Sequence, residues 1–268
     1  MMRRSVLAGL AAVLAACASP PKNDDGEAGK YPPWLIKIAE PVAPAVGFTI
    51  SHTQWRRGYL KGREDALMQV RARLQPLDIL LFSSKGRLSG HTGSGLFGHS
   101  AIYLGTEREL KSLGLLDAPE VAPHVGDLAK DRLIVEAAQK HGTDLSELDY
   151  VADTDRIVVI RPKGISLAAK RAAIRESFTK VGGKFDHWFR MDETERLFCT
   201  ELIDQVMPQL SLPRHQTYGR EIVMPDDLAL MAVRGERLTF VFAVEGGKDG
   251  WHVSGPAEVK ADIKAAGG

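Results

Sequence analysis

The sequence predicts an α+β domain, and three observations carry that prediction. Short apolar, β-branched-rich runs recur at 78–83, 100–105, 133–137, 156–161 and 238–244. Helix-period stripes lie apart from most of them, at 49–74, 166–180 and 200–207. The runs do not alternate strictly with helices, so a sheet with helices gathered around it is expected instead of a wound βαβ unit. The chain has 268 residues, 44% of them hydrophobic and 26% charged, which is ordinary globular composition and excludes collagen-like, coiled-coil and disordered classes.

Each element has a local reason. In the first helical stretch Leu60, Leu67, Val70 and Leu74 share a face and Pro76 closes it. Residues 78–83 (Asp-Ile-Leu-Leu-Phe-Ser) read as the first strand, and the loop 84–98 that follows holds five glycines. Residues 100–105, 133–137 and 156–161 are the next three strands. Ser166 is placed to N-cap a helix through Lys180, with Leu167, Ile174 and Phe178 on one side. Leu202, Ile203, Val206 and Met207 make the stripe of the last helix, which Pro208 stops. A late strand covers 238–244, and the Gly- and Lys-rich end, 247–268, is expected to fray.

The amino-terminal stretch stands outside this domain. Arg3 and Arg4 precede an apolar run of eleven residues, Val6 to Ala16, well short of the roughly 20 that a spanning helix needs. Residues 1–16 therefore read as a secretory signal. Leu14-Ala15-Ala16-Cys17 resembles a bacterial lipobox, which implies cleavage before Cys17 and lipidation of its thiol. Ala18 and Ser19, with no Asp after the cysteine, resemble lipoproteins sorted to the outer membrane, facing the periplasm of the bacterial cell envelope. Residues 17–47, rich in Pro, Gly and charge, suit a tether, and the folded domain is expected over 48–246.

Charge and cysteine count narrow the function. Loss of the signal leaves 33 basic against 34 acidic residues, so no polybasic field exists to hold nucleic acid. Two cysteines cannot make a four-cysteine zinc site. With Cys17 lipidated, Cys199 is the one free thiol. It opens a helix, where unpaired N–H groups favour a thiolate. His99 opens an apolar strand directly after the glycine-rich loop and is suited to take up a proton near neutral pH. Glu136 lies in the strand Ile134-Val135-Glu136-Ala137, where its charge needs a partner; an imidazole would serve. Each residue alone also has a plain reading: a buried thiol, a structural histidine, an outward carboxylate.

Taken together, the pieces resemble a family. Leu77-Asp78-Ile79-Leu80-Leu81-Phe82, Gly98-His99-Ser100-Ala101-Ile102-Tyr103-Leu104-Gly105, Val135-Glu136-Ala137, Lys184-Phe185-Asp186-His187-Trp188-Phe189, Phe198-Cys199-Thr200-Glu201-Leu202-Ile203 and Met224-Pro225-Asp226-Asp227-Leu228 occur in the order of permuted NlpC-type papain-like proteins of the YiiX/YaeF-like group. There His precedes Glu and Glu precedes Cys, the reverse of ordinary papain-like enzymes. The resemblance spans about residues 77–244. It implies a circularly permuted papain-like fold, an antiparallel sheet packed against the nucleophile helix, with Cys199, His99 and Glu136 catalytic. Ser100, Phe185 and the long charged segment 106–131 depart from the family pattern.

The resemblance further implies a cysteine-dependent amide or peptide hydrolase working through an acyl-thioester, with no cofactor. Tyr103, Asp186 and Trp188 are the candidate substrate contacts. Peptidoglycan stem peptides are the leading substrate for an envelope lipoprotein, and acyl-lipid amides stand second. The expected partners are that substrate and, through lipid on Cys17, the membrane. Three other readings stay open: a metal site from His91, His99 and His187 with Glu136, a non-catalytic binding lipoprotein, and an acyltransferase using the same Cys and His.

Overall fold

The computed structural model describes residues 53–87, 95–189, 191, 195–217 and 220–267. The lipobox with Cys17, the tether, and His91 lie outside the described residues. The strands are β1 (Ile79–Ser83), β2 (His99–Tyr103), β3 (Ile134–Ala138), β4 (Gly142–Ser146), β5 (Arg156–Pro162), β6 (Lys184–Phe185), β7 (Arg196–Leu197), β8 (His215–Thr217), β9 (Arg220–Ile222), β10 (Leu238–Gly247) and β11 (Gly250–Val253). The helices are α1 (Glu64–Arg71), α2 (Glu107–Ser112), α3 (Val125–Leu128), α4 (Leu148–Val151), α5 (Leu167–Thr179), α6 (Cys199–Val206), α7 (Pro225–Arg234) and α8 (Pro256–Ala266).

Seven strands form one antiparallel sheet in the order β11-β10-β5-β1-β2-β3-β4. β1 lies at its centre and is buried at every position, as its unbroken Ile-Leu-Leu-Phe run requires of a strand covered on both sides. α6 packs against β2 and β3 and against α5, whose Ile174 and Phe178 are buried, so the nucleophile helix rests on the strands carrying His99 and Glu136. Ser166 caps α5 by accepting the Ala169 N–H at 3.1 Å. Among the described residues no helix is long and apolar enough to cross a membrane.

The first helix is shorter than its periodicity suggests, beginning at Glu64 and not at residue 49. Residues 53–63 are instead pinned to the start of β5. Asp155, only 6% exposed, accepts from Arg56 Nη1 and Nη2 at 2.6 and 2.8 Å and from the backbone N–H groups of Tyr59 and Lys85. The Leu60 N–H donates to the Thr154 carbonyl, and Gly62 turns the chain at φ 76°. Backbone bonded in this way to another strand is not available for a helix ladder. The segment 106–131 is likewise no simple connection: Thr106 and Glu109 form a capping box on α2.

The expected fraying tail is also corrected. Gly247 pairs with Gly250 across Lys248-Asp249, so the glycines make a two-residue hairpin turn between β10 and β11. α8 follows, packed against α7 with Val259 and Ile263 buried one turn apart. Trp251 Nε1 donates to Asp65 of α1 at 2.7 Å, and the buried Arg156 pairs with both Glu245 and Asp262. The domain therefore runs past 246 to the last described helix. Ile263→Ala is expected to cost about 2 kcal/mol of unfolding free energy in denaturant titration; a tail that frays would show no change.

Candidate active site

The helix that begins at Cys199 is placed by backbone pairing that ends two residues before it, at Leu197. β6 and β7 pair in parallel, Phe185 with Leu197, and the Asp186 N–H donates to the Leu197 carbonyl at 3.1 Å. Phe198 is then extended, φ −106° and ψ 170°, and α6 starts at Cys199. The Thr200 hydroxyl donates to the Val223 carbonyl at 2.7 Å and fixes the first turn from below. Cys199 is half-buried, is not in a disulfide, and lies near enough to His99 for the imidazole to lower its thiol's proton affinity.

His99 stands at the first position of β2, where Phe82 of β1 stacks on its ring at 5.8 Å. Its Nε2 lies 2.7 Å from Glu136 Oε2, which leaves Nδ1 as the ring nitrogen for the sulfur. The Glu136 side chain is only 4% exposed, and its other oxygen accepts from Ser146 Oγ at 2.5 Å. The cross-strand register makes this contact: Glu136 pairs with Asp144, so Ser146 stands two residues further on the same side of the sheet. His141 Nε2 approaches that oxygen to 3.5 Å.

The loop before His99 is tied down from beyond the nucleophile. The half-buried Asp226 carboxylate, at the start of α7, accepts the Leu96 and Phe97 N–H groups at 2.8 Å each. This gives the Met-Pro-Asp-Asp segment a physical role. Pro225 begins the helix where no N–H is needed, and Asp226 reaches back to hold the approach to His99.

Electrostatics favour an ion pair. Burial pushes the Cys199 thiol up, but the hydrogen bond and charge of His99, with the Ser100 backbone N–H, outweigh it and bring the thiol below its ordinary value. Burial works against the His99 imidazolium, yet hydrogen bonds to Cys199 and Glu136 raise it to about 10. Burial also opposes ionisation of Glu136, and the contacts from His141, His99 and Ser146 prevail, holding it well below the usual carboxylate range. A thiolate, an imidazolium and a carboxylate in line are the charge states a thiol nucleophile needs.

The six residues singled out from sequence divide into two groups. Cys199, His99 and Glu136 come together: His99 hydrogen-bonds Glu136, and Cys199 lies within electrostatic reach of His99. Tyr103 does not join them: four residues along β2, about 13 Å from His99, it is 6% exposed and donates its hydroxyl to Glu109. Asp186 is fully buried and accepts the Trp188 N–H at 2.8 Å, so it shapes the turn and is shielded from any substrate. Trp188 is half-buried with Arg196 over its ring, beside Phe189, which is 39% exposed and packs on Phe198 next to the nucleophile. Sequence reading missed Ser146 and His141 and named Asp226 only within the Pro-Asp segment; their contacts appear only once strand register and loop contacts are known.

The metal alternative gains no support. His187 packs edge-on against Phe185 at 5.1 Å, and burial lowers its affinity for a proton. Among the described residues the grouping able to converge on a cation is Glu245, His252 and Glu258, at the other edge of the sheet and without His99.

Residues 73–258, more than half of the chain, match a family described as "Permuted papain-like amidase enzyme, YaeF/YiiX, C92 family". Searches of curated proteins and of solved structures found no match. The charge arrangement predicts that iodoacetamide labels Cys199 with a pH midpoint below the roughly 8.5 of a free thiol. In His99→Ala, which loses the opposing charge, the midpoint should move above the wild-type value, measured as adduct on the Cys199 peptide by mass spectrometry.

Proposed function

The chain belongs to the permuted papain-like amidase family YaeF/YiiX, C92, a family of cysteine amidases and peptidases, and from that premise we propose that Cys199, His99 and Glu136 are its catalytic residues. The observation carrying the proposal is His99 Nε2 at 2.7 Å from the buried Glu136 carboxylate, with Cys199 near enough to His99 for each to shift the other's proton affinity. In this reading the thiolate of Cys199 attacks an amide carbonyl and forms a tetrahedral intermediate. The Cys199 N–H at the start of α6 donates to the oxyanion, a contact typically worth about 10²–10³-fold in rate per donor. His99 gives its proton to the departing amine, leaving a thioester on Cys199. It then takes a proton from water, which attacks the thioester and releases the acid. Glu136 holds the ring in line and balances its charge.

For substrate we propose peptidoglycan stem peptides, cleaved by a lipoprotein held in the envelope through Cys17. The lipobox-like Leu14-Ala15-Ala16-Cys17 run supports the location, and the family's amidase chemistry supports the bond type. A second reading, an apolar acyl amide, is favoured by one observation: the exposed Phe189 packs on Phe198, the residue before Cys199. Incubating the protein with stem-peptide fragments and, separately, with acyl-lipid amides decides between them. The true substrate leaves an acyl adduct on Cys199 detectable by mass spectrometry.

The triad also predicts non-additive kinetics. Cys199→Ala and His99→Ala should each remove nearly all turnover, and the double variant should be little worse than either. Glu136→Gln should be milder, because the amide still orients His99 but no longer balances its charge. Full turnover in Cys199→Ala would end the proposal. For targeting, Cys17→Ser should abolish acyl labelling and membrane association while Cys199→Ser leaves both intact; unchanged fractionation of Cys17→Ser would refute the anchor.

A further inference from the structure

The Glu136 carboxylate faces two imidazoles, and the triad accounts for one of them. Oε2 meets His99 Nε2 at 2.7 Å, while Oε1 takes the Ser146 hydroxyl at 2.5 Å and faces His141 Nε2 at 3.5 Å. The last torsion of a glutamate is broad and two-fold, so contact with His99 alone would let the carboxylate swing. Partners on both oxygens fix its plane and aim Oε2 at His99.

The position of His141 is built by the backbone. It is the last residue of the β3–β4 turn, and Gly142 follows at φ 76°. A Cβ on Gly142 would lie 2.2 Å from the Gly183 carbonyl oxygen. The Thr143 N–H donates to that carbonyl, and the Gly182 N–H donates to Thr143, each at 2.8 Å. The turn is thus clamped to the segment entering β6, whose partner β7 leads into Cys199. The His141 side chain is one-quarter exposed and tilts against the Tyr150 ring at 6.1 Å. The charged and titratable groups around it are Glu136 on β3, Asp144 on β4, His99 on β2 and Tyr150 on α4.

Charge counting gives this contact a purpose. Thiolate, imidazolium and carboxylate sum to one net negative charge in a largely buried array, which disfavours the thiolate. A protonated His141 brings the sum to zero. We propose that His141 is a positioning residue that holds Glu136 toward His99 and neutralises the array when the Cys199 thiolate forms. The Glu136 contact, set against burial, raises the proton affinity of His141 above that of an ordinary histidine, as the role requires.

The inference rests on Cys199 and His99 acting as proposed above, and its test is separable from that reading. The pH midpoint of iodoacetamide labelling at Cys199 is measured in the wild type, His99→Ala, His141→Ala and His141→Gln, with thermal melting as the control for folding. His141→Ala should raise the midpoint by about one unit, a tenfold smaller thiolate fraction at a given acid pH. His141→Gln, which keeps a donor without the charge, should fall between it and the wild type and covers the case in which the alanine variant does not fold. A wild-type midpoint in both His141 variants, with a shifted one in His99→Ala, overturns the role of His141 and leaves the triad standing. No shift in His99→Ala removes the triad reading and, with it, this one.

Discussion

A carboxylate that is 4% exposed in the middle of a strand is the constraint around which this site is arranged. Glu136 costs several kcal/mol to bury as an ion unless its oxygens are paired. Each neighbouring element supplies a partner: β2 brings His99, β4 brings Ser146, and the intervening turn brings His141. His99 is in turn committed through Nε2 to the carboxylate, beside the helix that begins at Cys199. The nucleophile is therefore the end of a sequence of obligations that begins with one buried charge.

That ordering explains how the permuted arrangement is workable. The sheet is largely complete in sequence by the end of β5, before the nucleophile has appeared. α6 must then be delivered to a site that already exists. The parallel β6–β7 pair and the Thr200 contact to Val223 determine where it lands. Asp226, later still, returns to grip the backbone ahead of His99. Residues on either side of Cys199 in the chain thus hold His99 in place.

Much of this was legible in the sequence, for reasons that can be named. Cys199 and His99 sit at element starts, and local pattern marks such starts well: Phe198 precedes an amphipathic helix, and Gly98 precedes an apolar strand. Glu136 was visible because a charge inside Ile-Val-Glu-Ala breaks an apolar run. Tyr103 and Asp186 were misassigned because nothing local shows where a hydroxyl or carboxylate finds its partner; Glu109 and the Trp188 N–H claim them. Ser146 and His141 were invisible for the complementary reason, since β4 carries few apolar residues and its register on β3 is a tertiary fact. Residues 53–63 have helix-like spacing but are bonded to Asp153, Thr154 and Asp155. At the other end, glycines that suggested disorder were turn residues.

Arg156 gives the carboxy-terminal helix a meaning that its length conceals. The guanidinium is almost wholly shielded and divides its contacts between Glu245 on β10 and Asp262 on α8. The apolar contribution of α8 is modest, chiefly Val259 and Ile263. Its Asp262 carboxylate, by contrast, is one of the two that pair with the buried Arg156 among the described residues. The attachment of α8 is thus made by an ion pair as much as by hydrophobic closure. Asp262 lies four residues beyond the end of the family match at 258. A shortened protein ending at that limit would retain every strand of the sheet yet lose the Asp262 contact through which α8 grips the buried Arg156.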